Sequence, residues 1–318
     1  MREAAFLKQN QDKWTTYEST PVNDPDELAE RFIELTDDLA YAKTFYPGST
    51  THKYINGLTR LFHQNIYKNK KERTGRFKDF WLRDIPLTVY ANHRKLLYSF
   101  IIFVAFVIVG AFSASVDESF VRLVLGDSYV NETLENIRQG KPLAIYSSGG
   151  EGFMFMSITL NNIKVALTAF VYGIFLSFGS AYFLFFNGIM LGAFQYFFYQ
   201  KGYLLTSVLT IWIHGTIEIS SIIVAGAAGF CIGNSILFPK TLSRVESFKR
   251  GTKDGLKIAI GLIPFFIIAG FLESFVTRHA DVSPALSASI IILSLTLIIS
   301  YFVLYPRKLG KGKGGMIE

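Results

Sequence analysis

The sequence predicts an all-α, polytopic membrane protein: about six transmembrane helices plus a small N-terminal cytoplasmic helical bundle. Three observations carry this. Charge is segregated: residues 1–95 hold 16 Lys/Arg and 13 Asp/Glu, and long stretches almost free of charge follow. Those stretches are Leu96–Val116, Val165–Gln200, Gly202–Pro239 (interrupted only by Glu218), Ile258–Leu272 and Val282–Pro306. Most match or exceed the ~20 apolar residues that a bilayer crossing needs. Ahead of them, apolar residues recur at helical spacing. A composition of 50% hydrophobic and 18% charged residues excludes disordered, collagen-like and disulfide-scaffold classes. One cysteine, Cys231, excludes an internal disulfide and a multi-Cys metal site. The opening MREAAFLKQNQDKW has no apolar core, so no cleavable signal peptide is expected.

Residues 1–75 read as the bundle, with three helices. The clearest is 25–46. Asn23 and Asp24 are capping types, and Pro25 suits the first helical position. Leu28, Phe32, Leu35, Leu39, Ala42 and Tyr46 then form one apolar stripe, and Pro47-Gly48 stops it. A third helix, about 50–68, presents Ile55, Leu58, Phe62 and Ile66. The first, about 2–17, carries Leu7, Trp14 and Tyr17. Residues 76–95 read as an amphipathic interfacial helix and elbow that Pro86 ends. Phe77, Phe80, Trp81 and Ile85 face the bilayer, and Lys78 and Arg83 face its anionic surface. A nucleic-acid role for this basic run is set aside, since it adjoins a span and has no recognised fold.

The transmembrane domain is expected over 96–305, followed by a basic cytoplasmic tail, 306–318. As one helix, Val165–Gln200 would be ~54 Å long against a hydrocarbon core of ~30 Å. It is therefore expected to fold as a hairpin with its apex between Gly179 and Gly188. Six spans follow, at about 96–116, 164–184, 187–203, 216–238, 256–276 and 284–305. They place 26 of the 32 Lys/Arg on one side, which the positive-inside rule makes cytoplasmic, together with both termini. Residues 203–215 are left over as an interfacial or re-entrant half-helix. The extracytoplasmic loop is 117–163, with short helices at about 118–125 and 128–138. Its Ser147–Gly152 cluster lacks the phosphate-loop Gly-Lys-Ser/Thr and reads as a turn.

Polar groups at membrane depth are the candidate functional residues, because each costs several kcal/mol unless paired. His214 and Glu218 are four apart, on one helical face, and within reach of each other. They are either a titrating or cation-binding pair, or a polar staple between helices. Two ligands are too few for a metal site, so no metal and no cofactor are expected. Asn161, Asn162 and Lys164 read as an interfacial cap and a snorkelling lysine at the start of the second span, joined in the interface by Trp81 and Arg83. Asn187-Gly188 is a turn signal that either makes the hairpin or breaks a helix. Gly188 with Gly192, and Gly229 with Gly233, form GxxxG patterns that bring helices close and favour a homodimer. No catalytic constellation is present, and no enzyme is expected.

The run YGIFLSFGSAYFLFFNGIMLGAF, then HGTIEISSIIVAGAAGFCIG, with IYSSGGEGFMFMSITLNNIKVAL ahead of them, resembles the stage II sporulation protein M family of bacterial membrane proteins over about 96–305. The most specific part is His214-Gly215 with Glu218 and the Ala/Gly run 225–229. Family members often carry Pro before that His. Here Ile213 stands there, so a helix break would have to come from Gly215. The first 95 residues resemble a longer branch that opens with an MREAAF-like helix. The resemblance implies a multi-pass protein of the bacterial cytoplasmic (inner) membrane with no known catalytic activity. It is similar to a membrane anchor that assembles peptidoglycan-degrading partners, and the extra domain implies different partners. The expectation is a non-enzymatic scaffold or assembly factor for membrane or cell-envelope proteins in the lipid bilayer. The alternative is a transporter or channel with a proton- or cation-responsive site at His214/Glu218.

Overall fold

The computed structural model describes residues 1–20, 22, 24–68, 75–143, 151–278 and 283–314. These residues contain helices and no strand. Asn23, the basic run 69–74 and most of the Ser147–Gly152 cluster lie outside them. The chain divides into two units, Met1–Arg76 and Phe77–Glu318.

The first unit holds α1 (Glu3–Ser19), α2 (Pro25–Phe45) and α3 (Thr50–Lys68). Asp24 caps α2 by accepting from the Asp26 N–H at 3.1 Å, and Pro25 opens the helix. The stripe read from the sequence is the core: Leu28, Leu35 and Ala42 are buried against Ile55, Leu58 and Phe62 of α3. From α1, Trp14 is buried and donates its Nε1–H to Asp38 at 2.7 Å. Leu7, expected inside, is 39% exposed, and Phe6 holds that place. A one-residue change of register on a helix turns a side chain by ~100°, and the irregular pattern of α1 does not fix it.

The second unit begins within α4 (Arg76–Asp79), followed by a π turn (Phe80–Asp84) and α5 (Ile85–Ala91). A single interfacial helix ended by Pro86 was expected. Pro86 instead opens α5, where its missing N–H costs nothing. Ile85, Pro86 and Val89 are buried within the bundle. The hydroxyls of Tyr301 and Tyr305 donate to the carbonyls of Trp81 and Leu82, each at 2.8 Å. The elbow is thus held by protein as well as facing outward.

Six helical segments are long and apolar enough to cross a bilayer: His93–Val116 (α6), Gly152–Ile174, Phe178–Gln200, Leu204–Leu237, Arg244–Thr277 and Pro284–Lys311. Between the first two lie α7 (Glu118–Leu125) and α8 (Asp127–Arg138). The second span is α9 (Glu151–Val171) with a 3₁₀ turn, the third is α10 and the fourth is α11. The fifth is α12 (Arg244–Gly261), α13 (Ile263–Phe271) and a π segment (Leu272–Thr277). The sixth is α14 (Pro284–Ile299), a π turn and α15 (Tyr305–Gly314). Fragment α11 is the central post: 83% of its most apolar stretch is buried, against 17–50% in the other five.

Three boundaries differ from expectation. The second span starts about twelve residues earlier than 164, so the loop expected at 117–163 ends before Glu151. Its low apolarity, with Ser157, Thr159, Asn161 and Asn162, hid it. The hairpin apex is at 172–177, not 179–188, and the helix runs unbroken through Asn187-Gly188. Asn187 turns its Nδ2 back to the Phe183 carbonyl at 2.8 Å. A turn at that depth would leave backbone groups unpaired in lipid. Residues 204–215 are the first third of α11, not a separate half-helix, and Gly215 breaks nothing.

The apex is made by two non-glycine residues at positive φ, Leu176 (54°) and Ser177 (71°). An L-residue there costs roughly 1–2 kcal/mol. Leu176→Gly relieves that strain but adds ~0.5–1 kcal/mol of unfolded-chain entropy. A net gain of about 0.5–1 kcal/mol is expected, read as a small rise in the thermal unfolding midpoint.

The crossings alternate. Gly188 abuts Phe103, and Gly192 abuts Val107 and Ala111, so the first and third spans run parallel. Thr159 abuts Gly270 and Phe170 abuts Gly255, so the second and fifth run opposite ways. Gly255 also meets the Ala228 carbonyl, and Gly251 the Cys231 carbonyl, which sets α12 against α11. A side chain at Gly192 would overlap the Val107 carbonyl oxygen, and one at Gly110 the Ile189 carbonyl. Gly229 and Gly233 receive Ser180 of α10 and Ser177 of the apex. Both GxxxG patterns are therefore used inside one protomer, and a homodimer would need another surface. Hydroxyls add to the packing: Ser99 donates to the Ile223 carbonyl and Ser180 to the Ala169 carbonyl, both at 2.6 Å.

Candidate functional site

Three polar residues of α11 lie on one helical stripe. His214, Glu218 and Ser221 recur at four and three residues. The helical spacing was read as placing His214 and Glu218 within reach of each other, and the imidazole also meets the neighbouring span. His214 Nδ1 is 3.0 Å from the Thr277 hydroxyl, and Nε2 is 3.9 Å from Glu273 Oε2. One donor atom each of His214, Glu218 and Glu273 lies within 4.8 Å of the other two. The His214 side chain is 5% exposed and that of Glu273 14%, so the cluster is screened from solvent.

The fifth span delivers Glu273 and Thr277 from its π segment. A π bulge inserts one residue into a helical turn, re-aims the side chains after it, and is frequent at functional sites. Glu273 was missed in the sequence, where it was taken as the edge of an apolar run. The signal was present: a carboxylate flanked on both sides by apolar residues, in a segment otherwise long enough to span.

Polar side chains without a hydrogen-bond partner gather on the elements that meet here. They include the Oγ atoms of Ser221 and Ser274, Oγ1 of Thr159 and Nδ2 of Asn162. Ser221 and Ser274 are wholly buried, and Thr159 and Asn162 are 6% and 5% exposed. Thr159 abuts Gly270, one turn before Glu273. Two carboxyl groups and an imidazole this close inside a low-dielectric bundle call for protons or a cation to share them. The arrangement can bind a positive ion or staple spans four and five.

The remaining residues singled out from the sequence lie elsewhere. Gly188, Gly192, Gly229 and Gly233 are helix contacts, and Asn187 is mid-helix. At Gly215 the nearest neighbours of an added methyl are Ile219 and Ile211 at 3.8 and 3.9 Å, so it makes no tight approach. Trp81 packs partly against the core and Arg83 is exposed on the elbow. Asn162 faces inward, whereas Asn161 and Lys164 are exposed on the outer face of the second span. Lys164 lies near the middle of the Gly152–Ile174 helix, not at its end.

Residues 99–278 match the family model of stage II sporulation protein M. Residues 4–68 match a model described as a domain of unknown function. No curated protein and no solved structure matches the chain.

Proposed function

Because the chain belongs to the stage II sporulation protein M family, which is not a known enzyme family, we propose that it is a non-enzymatic assembly platform. It would hold membrane or cell-envelope partners in a bacterial cytoplasmic membrane, with both termini cytoplasmic. One observation carries the reading: Lys164. It lies roughly 15–18 Å along the helix from either end of its span, on a face shared with Met156, Leu160, Leu167 and Val171. No described residue forms an ion pair with it. Ionisable residues at membrane depth normally face the bundle interior or pair, because a lysine at mid-span costs about 2.5–3.5 kcal/mol even on the mildest scale. An outward lysine beside an outward Asn161 therefore favours a transmembrane helix of another protein that carries a carboxylate. A second copy on this face would bring lysine against lysine.

The orientation has electrostatic support. The uncharged apex at Leu176–Phe178 shares a groove with Arg94, Lys95 and Lys240, so positive charge surrounds it without lying on it.

Lys164→Leu separates the two roles of this residue. It should stabilise the isolated protein, by up to about 3 kcal/mol, yet reduce recovery of membrane partners at least tenfold; Lys164→Arg should keep them. If the captured helix bears an acid, Lys164→Glu combined with Lys at that acid should restore capture. Equal recovery by wild type and Lys164→Leu would refute the platform reading at this face. The transport alternative keeps the support of the buried cluster, but not of a break at Asn187-Gly188 or before His214, since α10 and α11 are continuous.

A further inference from the structure

We propose that His214, Glu218 and Glu273 bind one divalent first-row metal ion of the zinc class. The proposal concerns a different face of the molecule from Lys164 and does not depend on it.

The donor set is one imidazole nitrogen and two carboxylate oxygens. Imidazole disfavours magnesium and calcium, and mixed nitrogen and oxygen donors suit zinc and its neighbours. With a neutral imidazole and two carboxylates, a dication leaves the buried cluster with no net charge. The nearest fixed cation along the segment does not do this: Arg278 leaves its Nη1 buried without a partner.

The geometry is close to what coordination needs. Bonds of ~2.0–2.2 Å set tetrahedral ligand atoms roughly 3.3–3.6 Å apart. The observed 3.9 Å, and a 4.8 Å limit for the whole set, need to close by up to about 1 Å to reach that spacing. Thr277 fixes the ring. With the N–H on Nδ1 donating to Oγ1 at 3.0 Å, Nε2 presents its lone pair toward Glu273. Metal-bound histidines are held in this way by an outer hydrogen bond. Three protein donors leave a fourth position open. The unpartnered Ser221 hydroxyl lies on the same stripe of α11, and Ser274 follows Glu273 directly.

The test uses the full chain, purified in detergent and stripped with a chelator. Titration with Zn²⁺ by calorimetry should give one ion per chain and raise the unfolding midpoint, whereas Mg²⁺ should do neither. Co²⁺ should give the visible absorption of a four-coordinate site. His214→Ala and Glu273→Gln should weaken Zn²⁺ binding by about 100-fold or more, and Glu218→Gln by at least about tenfold. Thr277→Val, which keeps the shape and loses the orienting bond, should weaken it by about 10–100-fold. Glu132→Gln, on an exposed helix, should change nothing. If His214→Ala does not fold, the wild-type stoichiometry and Thr277→Val still decide. No saturable Zn²⁺ binding by wild type, or undiminished binding by Glu273→Gln, overturns the site. Either result leaves partner capture at Lys164 untouched, so the two readings fail separately.

Discussion

Replacing Gly192 by alanine should unfold or split the membrane unit at temperatures where wild type is intact. The added methyl has nowhere to go. It would overlap the Val107 carbonyl oxygen and approach the Ala111 nitrogen to 2.7 Å, and both are backbone atoms of α6. A flexible side chain could swing aside, but a packed helix moves only as a whole. Overpacking a core costs typically 1–3 kcal/mol, and a clash against backbone belongs at or above the top of that range. The same substitution at Gly215 is the control. Its nearest neighbours would be 3.8 Å away, so the effect should lie between neutral and a gain of up to about 1 kcal/mol. Fluorescence-detected size exclusion after heating reads both variants. Equal midpoints would mean that α6 and α10 do not meet through this glycine.

Trp14→Ala should unfold Met1–Arg76 while leaving the membrane unit intact. Trp14 is 1% exposed, packs edge-on to Phe6 at 5.5 Å between ring centroids, and donates to Asp38. Deleting a buried aromatic of this size costs about 3–5 kcal/mol. A unit this small has total stability near the low end of 5–15 kcal/mol. Asp38 would keep Lys13, at 2.6 Å, but lose its indole donor. Limited proteolysis should then cut within the first unit and spare the spans. Ile33→Ala, at a position 60% exposed, should be silent. Continued protease resistance in Trp14→Ala would show that α1 is dispensable to that core.

Six spans, the three-helix unit and the two short helices between spans one and two were legible because each rests on one strong signal. For the spans it is the length of charge-free sequence. For α2 and α3 it is an unbroken apolar stripe with a proline or glycine at the boundary. What the sequence concealed follows from two physical causes. Boundaries moved where polarity and depth conflict. The second span carries Ser, Thr, Asn and Lys across its middle, and hydropathy alone reads them as loop. The Asn187-Gly188 turn signal holds for chains in water, and in lipid an unbroken helix is cheaper. The candidate site was half legible. Spacing found His214 and Glu218 but paired them along one helix, and only tertiary structure shows that the imidazole reaches Thr277 and Glu273 on another. No one-dimensional pattern marks a π bulge. The glycine pairs lie at close helix contacts, but periodicity does not tell an internal partner from a second molecule.

The two tyrosine hydroxyls that hold Trp81 and Leu82 impose an order on biosynthesis. The ribosome makes residues 81 and 82 more than two hundred positions before Tyr301 and Tyr305. Until the last helix emerges, those two carbonyls must take their hydrogen bonds from water, lipid headgroups or an insertion factor, and Ile85, wholly buried in the full chain, lacks part of its cover. Closure of this seam is then a late event, after all other crossings are in place. A nascent chain stalled before residue 301 should leave a cysteine at position 85, wholly buried in the full chain, open to a water-soluble thiol probe, and release of the full chain should protect it.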